Sequence, residues 1–471
     1  MSATLRWRRL PMVLVTGIAM SGCTDFDPLE VDEPAASVVH DDLDAALRSY
    51  LSGLGFTGRI ASTLEVRLGR RIDNQLANIG RMLFFDPISG LNDDNSCAGC
   101  HSPTHGLGDT QPIAIGIDNN GIVGPGRTGP RNQRRSPSVV NTAFYPTLMW
   151  NSRFNAPSGD PFDNSGGFVF PDPEGMSLSH LPHLLTAQAF IPPTERVEAA
   201  GFTFPGDSDD IRNEVLRRLN ESSNYRQLFA RVFPEVKAGA PITFDHFGRA
   251  IAEFEFTQVY ANAPIDRYAR GNSNALTRRQ KLGAVLFFGS ARCVQCHAVS
   301  GDANEMFSDF EQHVAAIPQV APALANVDFD GLGGDEDFGL EQVTRNPADR
   351  YAFRTSPLRN VALQSAFMHN GAFVRLEDAI RYHLDAVDQA AGYTTARLPA
   401  DLQGPPGPLA PVLERLDPLL RTPVELTPEE FAALVDFVRI GLLDPDARPQ
   451  RLRRLIPQKL PSGRPNLIFQ F

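Results

Sequence analysis

Two short cysteine–histidine motifs carry the most specific chemistry in this 471-residue chain. They use four of its five cysteines, and their sequences are Cys97-Ala98-Gly99-Cys100-His101 and Cys293-Val294-Gln295-Cys296-His297. The spacing Cys-x-x-Cys-His is the attachment signature of a c-type haem. On one helical turn the two thiols reach the two vinyl groups of one porphyrin, and the neighbouring imidazole points at the iron. The sequence therefore predicts two covalently bound c-type haems, with His101 and His297 as proximal iron ligands.

A helical segment of the same pattern precedes each motif. Residues 75–85 and 280–288 each contain a glycine followed, three residues later, by Leu-Phe-Phe, and a short turn then leads to the cysteines. The glycine permits close approach of another helix or of the haem, and the phenylalanine pair supplies an apolar wall. Duplication of a small helical haem-binding unit is the simplest explanation of this internal repeat.

The rest of the chain predicts a mainly α fold. Apolar residues recur at helical spacing in several segments, and Thr427 with Glu430 has the pattern of a capping box. No convincing run of alternating strand residues is present. We predict two cytochrome-c-like helical haem domains with long loops, the first over residues 41–262 and the second over 263–471. The helical segments are 41–54, 64–83, 209–233, 244–260 and 376–384.

The N-terminus has the features of an export signal. Three arginines precede an apolar run at residues 10–20, which is shorter than the roughly 20 residues of a transmembrane helix. The run ends in Met20-Ser21-Gly22-Cys23, which resembles a bacterial lipoprotein lipobox. We predict a signal peptide at 1–22, a lipid on Cys23 as the only membrane anchor, a tether at 23–40, and a periplasmic location. The alternative is an ordinary signal peptide that leaves Cys23 unmodified.

The charge of the chain limits its partners. Removal of residues 1–22, which contain three arginines and no acidic residue, lowers the formal net charge from −11 to −14. An acidic exported protein is poorly suited to bind nucleic acid, so none is predicted. A small molecule or a protein with a basic surface is a better partner.

Five further segments add to the two haem motifs. Together they resemble the bacterial di-haem cytochrome c peroxidase family, which includes the tryptophan-modifying enzymes of methylamine dehydrogenase maturation, over about residues 75–384. The resemblance implies a peroxide-binding haem on His101 in the first domain and an electron-transfer haem on His297 in the second. The five segments are Leu83-Phe84-Phe85-Asp86-Pro87, Ser136-Pro137-Ser138-Val139-Val140-Asn141, Ile265-Asp266-Arg267-Tyr268, Ser356-Pro357-Leu358-Arg359-Asn360-Val361 and His369-Asn370-Gly371.

The resemblance also implies catalytic residues. The family places a Gln and a Glu ten residues apart over the open face of the first haem, and Gln188 and Glu198 have that spacing. A carboxylate there can take a proton from one peroxide oxygen and return it to the other, while the amide holds the peroxide. Glu195 is a rival for the same role, and a solvated loop carboxylate is the alternative for Glu198. Trp150 resembles the family tryptophan between the haems, which implies that it relays electrons or holds part of the oxidising power; the alternative is a core tryptophan.

Two departures from the family concern the iron ligands. In well-known members a histidine sixteen residues after the proximal one caps the first iron until the enzyme is reduced, and Ile117 stands at that place here. An alkyl chain cannot bind iron, so we predict a first haem that is open without reductive activation. The family often has Met or Tyr fourteen residues beyond His369, where this chain has His383. We predict His383 as the second ligand of the second iron, with a potential below that of a His/Met pair; Tyr382 and Met368 are the alternatives.

The third departure concerns calcium. The family binds this ion between the haems with an Asn that precedes the Ser-Pro-Ser motif, and Arg135 occupies that position here. A guanidinium supplies the positive charge of the ion, which argues against calcium, although Asn132 nearby leaves one ligand for it.

From these features we predict a di-haem c-type peroxidase that reduces hydrogen peroxide to water. Its electrons come through the second haem from a small donor protein, a cytochrome c or a copper protein. One alternative is a related di-haem oxidase that modifies a protein or organic substrate. A second alternative is a non-catalytic electron-transfer cytochrome in which both irons are six-coordinate.

Overall fold

The computed structural model describes residues 36–170 and 176–471, with side chains described from residue 42 onwards. The predicted signal peptide and Cys23 lie outside the described residues. Residues 36–40, which the prediction assigned to the tether, belong to the first helix, Ala36–Gly53. None of the described helices is both long enough and apolar enough to cross a membrane.

The fold is mainly α, as predicted. The described strands have two residues each and form three two-stranded ladders: β1 with β6 in parallel, and β2 with β3 and β4 with β5 antiparallel. The strands are β1 (Ile122–Val123), β2 (Thr147–Leu148), β3 (Phe154–Asn155), β4 (Gln312–His313), β5 (Phe353–Arg354) and β6 (Ile468–Phe469). The helices are α1 (Ala36–Gly53), α2 (Leu64–Arg67), α3 (Asn74–Phe85), α4 (Cys97–Cys100), α5 (Leu184–Gln188), α6 (Ser208–Glu221), α7 (Ser223–Ala230), α8 (Pro234–Lys237), α9 (Phe244–Phe256), α10 (Pro264–Ala269), α11 (Arg278–Phe288), α12 (Glu341–Thr344), α13 (Leu376–Leu384), α14 (Ala386–Ala391), α15 (Ala410–Leu413), α16 (Pro428–Asp436) and α17 (Pro449–Leu452).

Two predicted helices are each split into two. The segment 64–83 is broken after α2, where Gly69 adopts a positive φ of 66° and Asp73 then caps α3 by accepting from two backbone N–H groups. The segment 209–233 is broken at Ser222, whose side chain caps α7. In both places a capping side chain starts a new helix, and the prediction of one continuous helix is wrong. The capping box of Thr427 and Glu430 at the start of α16 is confirmed.

The internal repeat is visible as two matching helix crossings. In the first unit α3 crosses α9 at Gly80, and in the second α11 crosses α16 at Gly283. A Cβ at Gly80 would lie 1.8 Å from the carbonyl oxygen of Ala250, and one at Gly283 would lie 2.0 Å from that of Ala433. Each glycine therefore lets two helix backbones come into contact at the helix that precedes a haem motif.

We expect Gly80→Ala to destabilise the protein by about 2–3 kcal/mol, because the new methyl group overpacks a helix crossing and its neighbour is backbone that cannot rotate away. This loss exceeds the gain of about 1 kcal/mol that alanine has over glycine in a helix. Denaturant unfolding of the purified protein measures it. Gly53→Ala is the matched control, since a Cβ there meets nothing within 4 Å. Equal stability of the two variants would show that the crossing is less close.

The hydrophobic core has separate clusters for the two units, but each end of the chain packs against the unit at the far end of the sequence. Leu47 and Leu51 of α1 pack in the second cluster with Phe287 of α11. At the other end, Leu452 of α17 belongs to the first cluster, and β6 pairs with β1 through Ile122 and Ile468. The terminal segments thus tie the two units together, and the division at residue 262 remains a prediction for the chain between them.

Two of the motifs that carry the family resemblance meet at the junction of the units. Asn141 and Asn360 both adopt left-handed backbone conformations, with φ of 65° and 60°. Their side-chain amides both donate to the carbonyl oxygen of Tyr260, at 3.1 and 3.0 Å. Nearby, Arg359 makes two hydrogen bonds of 2.8 Å to the buried carboxylate of Asp266. These residues fix the positions of the loops that follow each proline-containing motif.

Candidate active site

The first cavity collects the residues that the sequence assigned to the working haem. Its lining includes Cys97, Cys100, His101, Gln188 and Glu198. The helix α4 is a single turn that carries both thiols on the same side of the chain, and His101 follows directly as its C-terminal cap. Thus residues nearly a hundred positions apart in sequence, from α4 and from the segment after α5, face one space.

The imidazole of His101 is oriented for iron. Its Nδ1 is 2.8 Å from the carbonyl oxygen of Pro137, so this nitrogen carries the proton and Nε2 is the free ligand atom. Burial lowers the pKa of His101 to about 4, which keeps the ring neutral as metal binding requires. The Phe84 ring lies 6.3 Å from the His101 ring, and the repeat places Phe287 at 6.4 Å from His297.

The four motif cysteines are all free thiols in the described part of the chain. Burial raises the pKa of Cys97 and of Cys293 to about 12, and that of Cys100 to about 11. Two thiols at this spacing next to a histidine fit thioether attachment of a haem.

Glu198 lies in a single wide helical turn, Arg196–Ala200, that follows α5 and a proline-rich bend. The side chain is partly accessible because it faces the cavity, and protein surrounds it otherwise. This burial, followed by the nearby carboxylate of Glu195, raises the pKa of Glu198 to about 7, against the effect of Arg153. Glu195 makes an ion pair of 2.6 Å with Arg153. The two carboxylates therefore differ in their surroundings: Glu195 is paired with Arg153, whereas Glu198 has no such ion pair among the described residues and its pKa is raised towards neutrality.

The backbone around Glu198 is held from two sides. The side-chain amide of Asn95 donates to the Glu198 carbonyl oxygen at 2.8 Å, and Arg127 in turn donates to Asn95 at 2.9 Å. From the other side, the backbone N–H of Ile117 donates to Val197 at 3.2 Å. Ile117 itself is buried at 1% exposure and is not among the lining residues. The loop of Ile117, where the family resemblance led us to expect a histidine, supports the Glu198 turn through this hydrogen bond.

The second cavity contains Cys293, Cys296, His297 and His383. Nδ1 of His297 is 3.0 Å from the carbonyl oxygen of Phe307, and Nδ1 of His383 is 2.8 Å from that of Ala379, so each ring has its Nε2 free. The two ring centres are 6.2 Å apart. Imidazole nitrogens bind metal ions at about 2 Å, so two imidazoles on opposite sides of one iron have ring centres roughly 6 Å apart. The spacing fits one iron held between His297 and His383.

The alternative ligands are placed differently from each other. The hydroxyl of Tyr382 donates to the carbonyl oxygen of Ala316, and this fully buried side chain is not among the lining residues of the second cavity. Met368 does line it. The geometry therefore leaves Met368 as the only one of the two that faces the site.

The two cavities share a wall. Six residues line both of them, and we call them the shared wall: Arg135, Pro137, Ser138, Tyr145, Trp150 and Arg354. Trp150 stands in it with 9% exposure, its indole N–H donating to the carbonyl oxygen of Arg135 at 2.9 Å. The buried Trp150 ring lies between the two cavities, and this position is compatible with a core tryptophan and with an electron relay.

Two lining residues of the site were not found from the sequence. Glu255 of α9 faces the first cavity, where burial raises its pKa to about 8 and Thr142 donates to it at 3.3 Å. Its signal was the run Ile-Ala-Glu-Phe-Glu-Phe, in which charged residues interrupt an apolar segment. Arg354 had no local signal. Asn132, the residue that left calcium open, lines the first cavity with a buried side-chain oxygen that lacks a partner in the described residues.

These two cavities, each with a Cys-x-x-Cys-His motif and a neutral histidine ligand, define a protein that holds two haems. Residues 74–274 match the sequence model of the family described as "Di-haem cytochrome c peroxidase". This segment, 201 of the 471 residues, is similar to that family, whose cytochrome c peroxidases are oxidoreductases.

Individual relatives agree. Cytochrome c551 peroxidase of Pseudomonas aeruginosa is 28% identical over 312 residues, which are 66% of this chain and 72% of that protein. Methylamine utilization protein MauG of Methylorubrum extorquens is 27% identical over 308 residues, 65% of this chain and 67% of that protein. The solved structure of the diheme peroxidase BthA from Burkholderia thailandensis has a TM-score of 0.54 at 21% identity, covering 84% of this chain and 90% of that one. This structural likeness supports the fold of helical haem domains.

Proposed function

We propose that this protein reduces hydrogen peroxide to water at the first cavity, with electrons that a small redox protein delivers through the second. The observation that carries the proposal is Glu198, a carboxyl group with a pKa near neutrality in the same cavity as His101 and Gln188. A general acid–base group works best when its pKa lies near the operating pH.

The side chains divide the reaction between them. Bound haem supplies the iron that receives peroxide and the electrons that reduce it. His101 holds this iron through Nε2, with its Nδ1 proton fixed on Pro137. The Glu198 carboxylate takes the proton from one peroxide oxygen and gives it to the other, which leaves as water. The Gln188 amide donates a hydrogen bond to the peroxide. Two electrons and two protons balance the conversion of one peroxide into two waters.

The shared wall is the proposed path for the electrons. Trp150 contacts both cavities, and its backbone carbonyl accepts from the N–H of Arg354 at 2.8 Å. His297 and His383 would hold the second haem, which would supply electron transfer there, and Trp150 stands in the wall between that site and the first cavity.

The remaining parts of the proposal concern the cofactors and the surroundings of the protein. Covalent attachment through all four motif cysteines makes both haems c-type. We further propose export to the periplasm, with a lipid on Cys23 as the anchor, and a donor that is a cytochrome c or a copper protein with a basic face, since the net charge of the chain is −11.

A second candidate is oxidation of a protein or organic substrate. It is favoured by the similarity to MauG and by the two departures at Ile117 and His383. Rapid oxidation of a reduced cytochrome by peroxide supports the peroxidase, and slow turnover with modified aromatic residues on a partner protein supports the oxidase.

Low-temperature EPR of the oxidised protein, with and without cyanide, tests whether the first haem is open. We expect a high-spin ferric signal that cyanide converts to low spin, beside an unchanged low-spin signal from the His297/His383 haem. Met149 is the only thioether among the described lining residues of the first cavity. Two low-spin signals that cyanide leaves unchanged would therefore contradict the proposal. Met149 would then be the first candidate iron ligand to test by substitution. That result would also favour a simple electron carrier.

A further inference from the structure

We propose that Arg135 and Arg354 form a carboxylate-binding site in the shared wall, which takes propionate groups from both haems and joins the two cofactors electrostatically. The inference rests on the two haems of the proposed function and adds the residues that hold their acidic edges. No role in binding a ligand had been assigned to Arg354 from the sequence.

The first observation is that both guanidinium groups are buried without a matching anion. Arg135 is 3% exposed and Arg354 is 4% exposed. Within the described residues neither has a carboxylate in ion-pair contact. The Arg354 guanidinium donates to the carbonyl oxygens of Met149 and Thr355, at 3.0 and 3.3 Å. Nη2 of Arg135 donates to the carbonyl oxygen of Asp109 and to the side-chain oxygen of Gln364, at 3.3 and 3.1 Å. A buried charge is costly unless it is paired, so both positions call for an anion.

The other buried arginine that lines a cavity provides the contrast. Arg359 faces the second cavity and is 5% exposed, yet it is fully matched by the two 2.8 Å hydrogen bonds to Asp266. Arg127 is buried as well, at 3% exposure, but it does not line either cavity and it is hydrogen-bonded to several neutral oxygens, among them those of Asn95 and Ile115. Arg135 and Arg354 are distinguished by lining both cavities and by having no carboxylate in ion-pair contact among the described residues.

The second observation is a buried donor of Arg135 that lacks a partner in the described part of the chain. Nη1 of Arg135 makes no hydrogen bond to the described residues. The Arg135 backbone N–H donates at 2.9 Å to the carbonyl oxygen of His369, whose side chain lines the second cavity. The His369 ring stacks on Phe353, the residue before Arg354, with ring centres 3.6 Å apart. A free guanidinium donor in a wall between two cavities fits an acceptor that reaches it from a cavity.

The nearest acidic group does not fill this role. Burial lowers the pKa of Arg135 to about 10, and the charge of Asp109 only partly opposes this shift. Asp109 is itself 1% exposed, and its two oxygens accept from the backbone N–H groups of Gln111 and Ser136, at 2.8 and 3.0 Å. This one carboxylate is hydrogen-bonded to the backbone and interacts with Arg135, and no acidic side chain is found in an ion pair with Arg354 among the described residues. A haem brings two carboxylates on one edge, and a guanidinium binds carboxylates through parallel hydrogen bonds.

The consequence is that the two irons share one set of positive charges. Removing a positive charge beside a haem stabilises the ferric form over the ferrous one, and the low dielectric of the interior strengthens the effect. If propionates of both haems end on this site, one substitution must change both reduction potentials in the same direction.

The test is a spectroelectrochemical titration of both haems in Arg354→Gln, with Arg354→Lys as the charge-preserving partner and Arg217→Gln, on the exposed face of α6, as the control. We expect the ferrous-to-ferric ratio at a fixed potential to fall at least tenfold at both haems in Arg354→Gln, which is 59 mV for a one-electron couple. Less than a threefold change is expected in Arg354→Lys, and none in Arg217→Gln. A ratio that is unchanged at either haem overturns the proposal.

A second measurement needs no variant and covers the case in which Arg354→Gln fails to fold. If the arginines bind the propionates, added calcium or a chelator changes the ferrous-to-ferric ratio of the wild-type protein by less than twofold at either haem. A larger change would show that a metal ion holds them and would overturn the proposal. Haem content and peroxide turnover are measured on the same samples. Two bound haems without peroxide turnover would refute the proposed function and leave the arginine site intact.

Discussion

Glu198→Gln is expected to lower the rate of peroxide reduction by about 10²- to 10⁴-fold, the usual contribution of a general acid–base group. Glutamine keeps the size and the hydrogen-bonding capacity of the side chain but cannot accept and return a proton. Peroxide therefore still enters the cavity, while its O–O bond breaks slowly. Stopped-flow mixing of the protein with peroxide, followed by steady-state oxidation of a reduced cytochrome, measures both steps.

Glu195→Gln is the matched control for this variant. Glu195 lies three residues away in the same cavity and differs from Glu198 in being paired with Arg153 at 2.6 Å. We expect it to change the rate far less, by shifting the pKa of Glu198 downwards when its negative charge is removed. If Glu195→Gln were the slower variant, the roles of the two carboxylates would be exchanged.

The pH profile separates a catalytic role of Glu198 from a structural one. Proton abstraction needs the carboxylate form, and the pKa of Glu198 is about 7. As the pH falls through this value the group becomes protonated, so the second-order rate with peroxide falls on the acid side and levels off on the alkaline side. This acid limb should disappear in Glu198→Gln. A limb that persists in the variant would assign it to another group, with Glu255 as the next to test.

The sequence predicted correctly the structural features that depend on residues close together in the chain. The helix 376–384 and the Thr427 capping box are found as predicted because an amphipathic pattern and a cap determine each one. The haem motifs likewise are contiguous, so their geometry follows from a single turn. The break at Ser222 was available from the same rules, since serine is a good N-cap, but the apolar periodicity on both sides concealed it.

What the sequence did not predict comes from residues far apart in the chain. The shared wall is assembled from residues 135–150 and from Arg354, and only the fold brings these segments together. Arg135 was noticed as a substitution, yet nothing in its neighbourhood indicated that a second uncompensated guanidinium would join it. The packing of the two chain ends also depends on residues far apart in sequence, since α1 packs against α11 and β6 pairs with β1. Burial, and with it the raised pKa of Glu198, is also a property of the assembled structure.

His383→Met is expected to raise the reduction potential of the second haem, on the order of 0.1 V within the span of about 0.8 V that axial ligands set. A thioether stabilises ferrous iron relative to an imidazole, so the bis-imidazole site is the more reducing one. His383 is well placed for the exchange, because α13 presents its ring at 6.2 Å from His297 and the Ala379 carbonyl fixes its Nδ1. Redox titration and the low-spin EPR signal together measure the change.

Met368→Leu decides between the two ligands that face this cavity. If His383 binds the iron, Met368→Leu leaves the potential and the low-spin signal as they are, while His383→Met changes both. The reverse pattern would make Met368 the ligand and His383 a helix histidine held by its own backbone. The distinction matters for function, because a more reducing second haem gives its electron to the first one with greater driving force. Raising its potential in His383→Met should therefore slow the return of the oxidised first haem to its resting state, without affecting the initial reaction with peroxide.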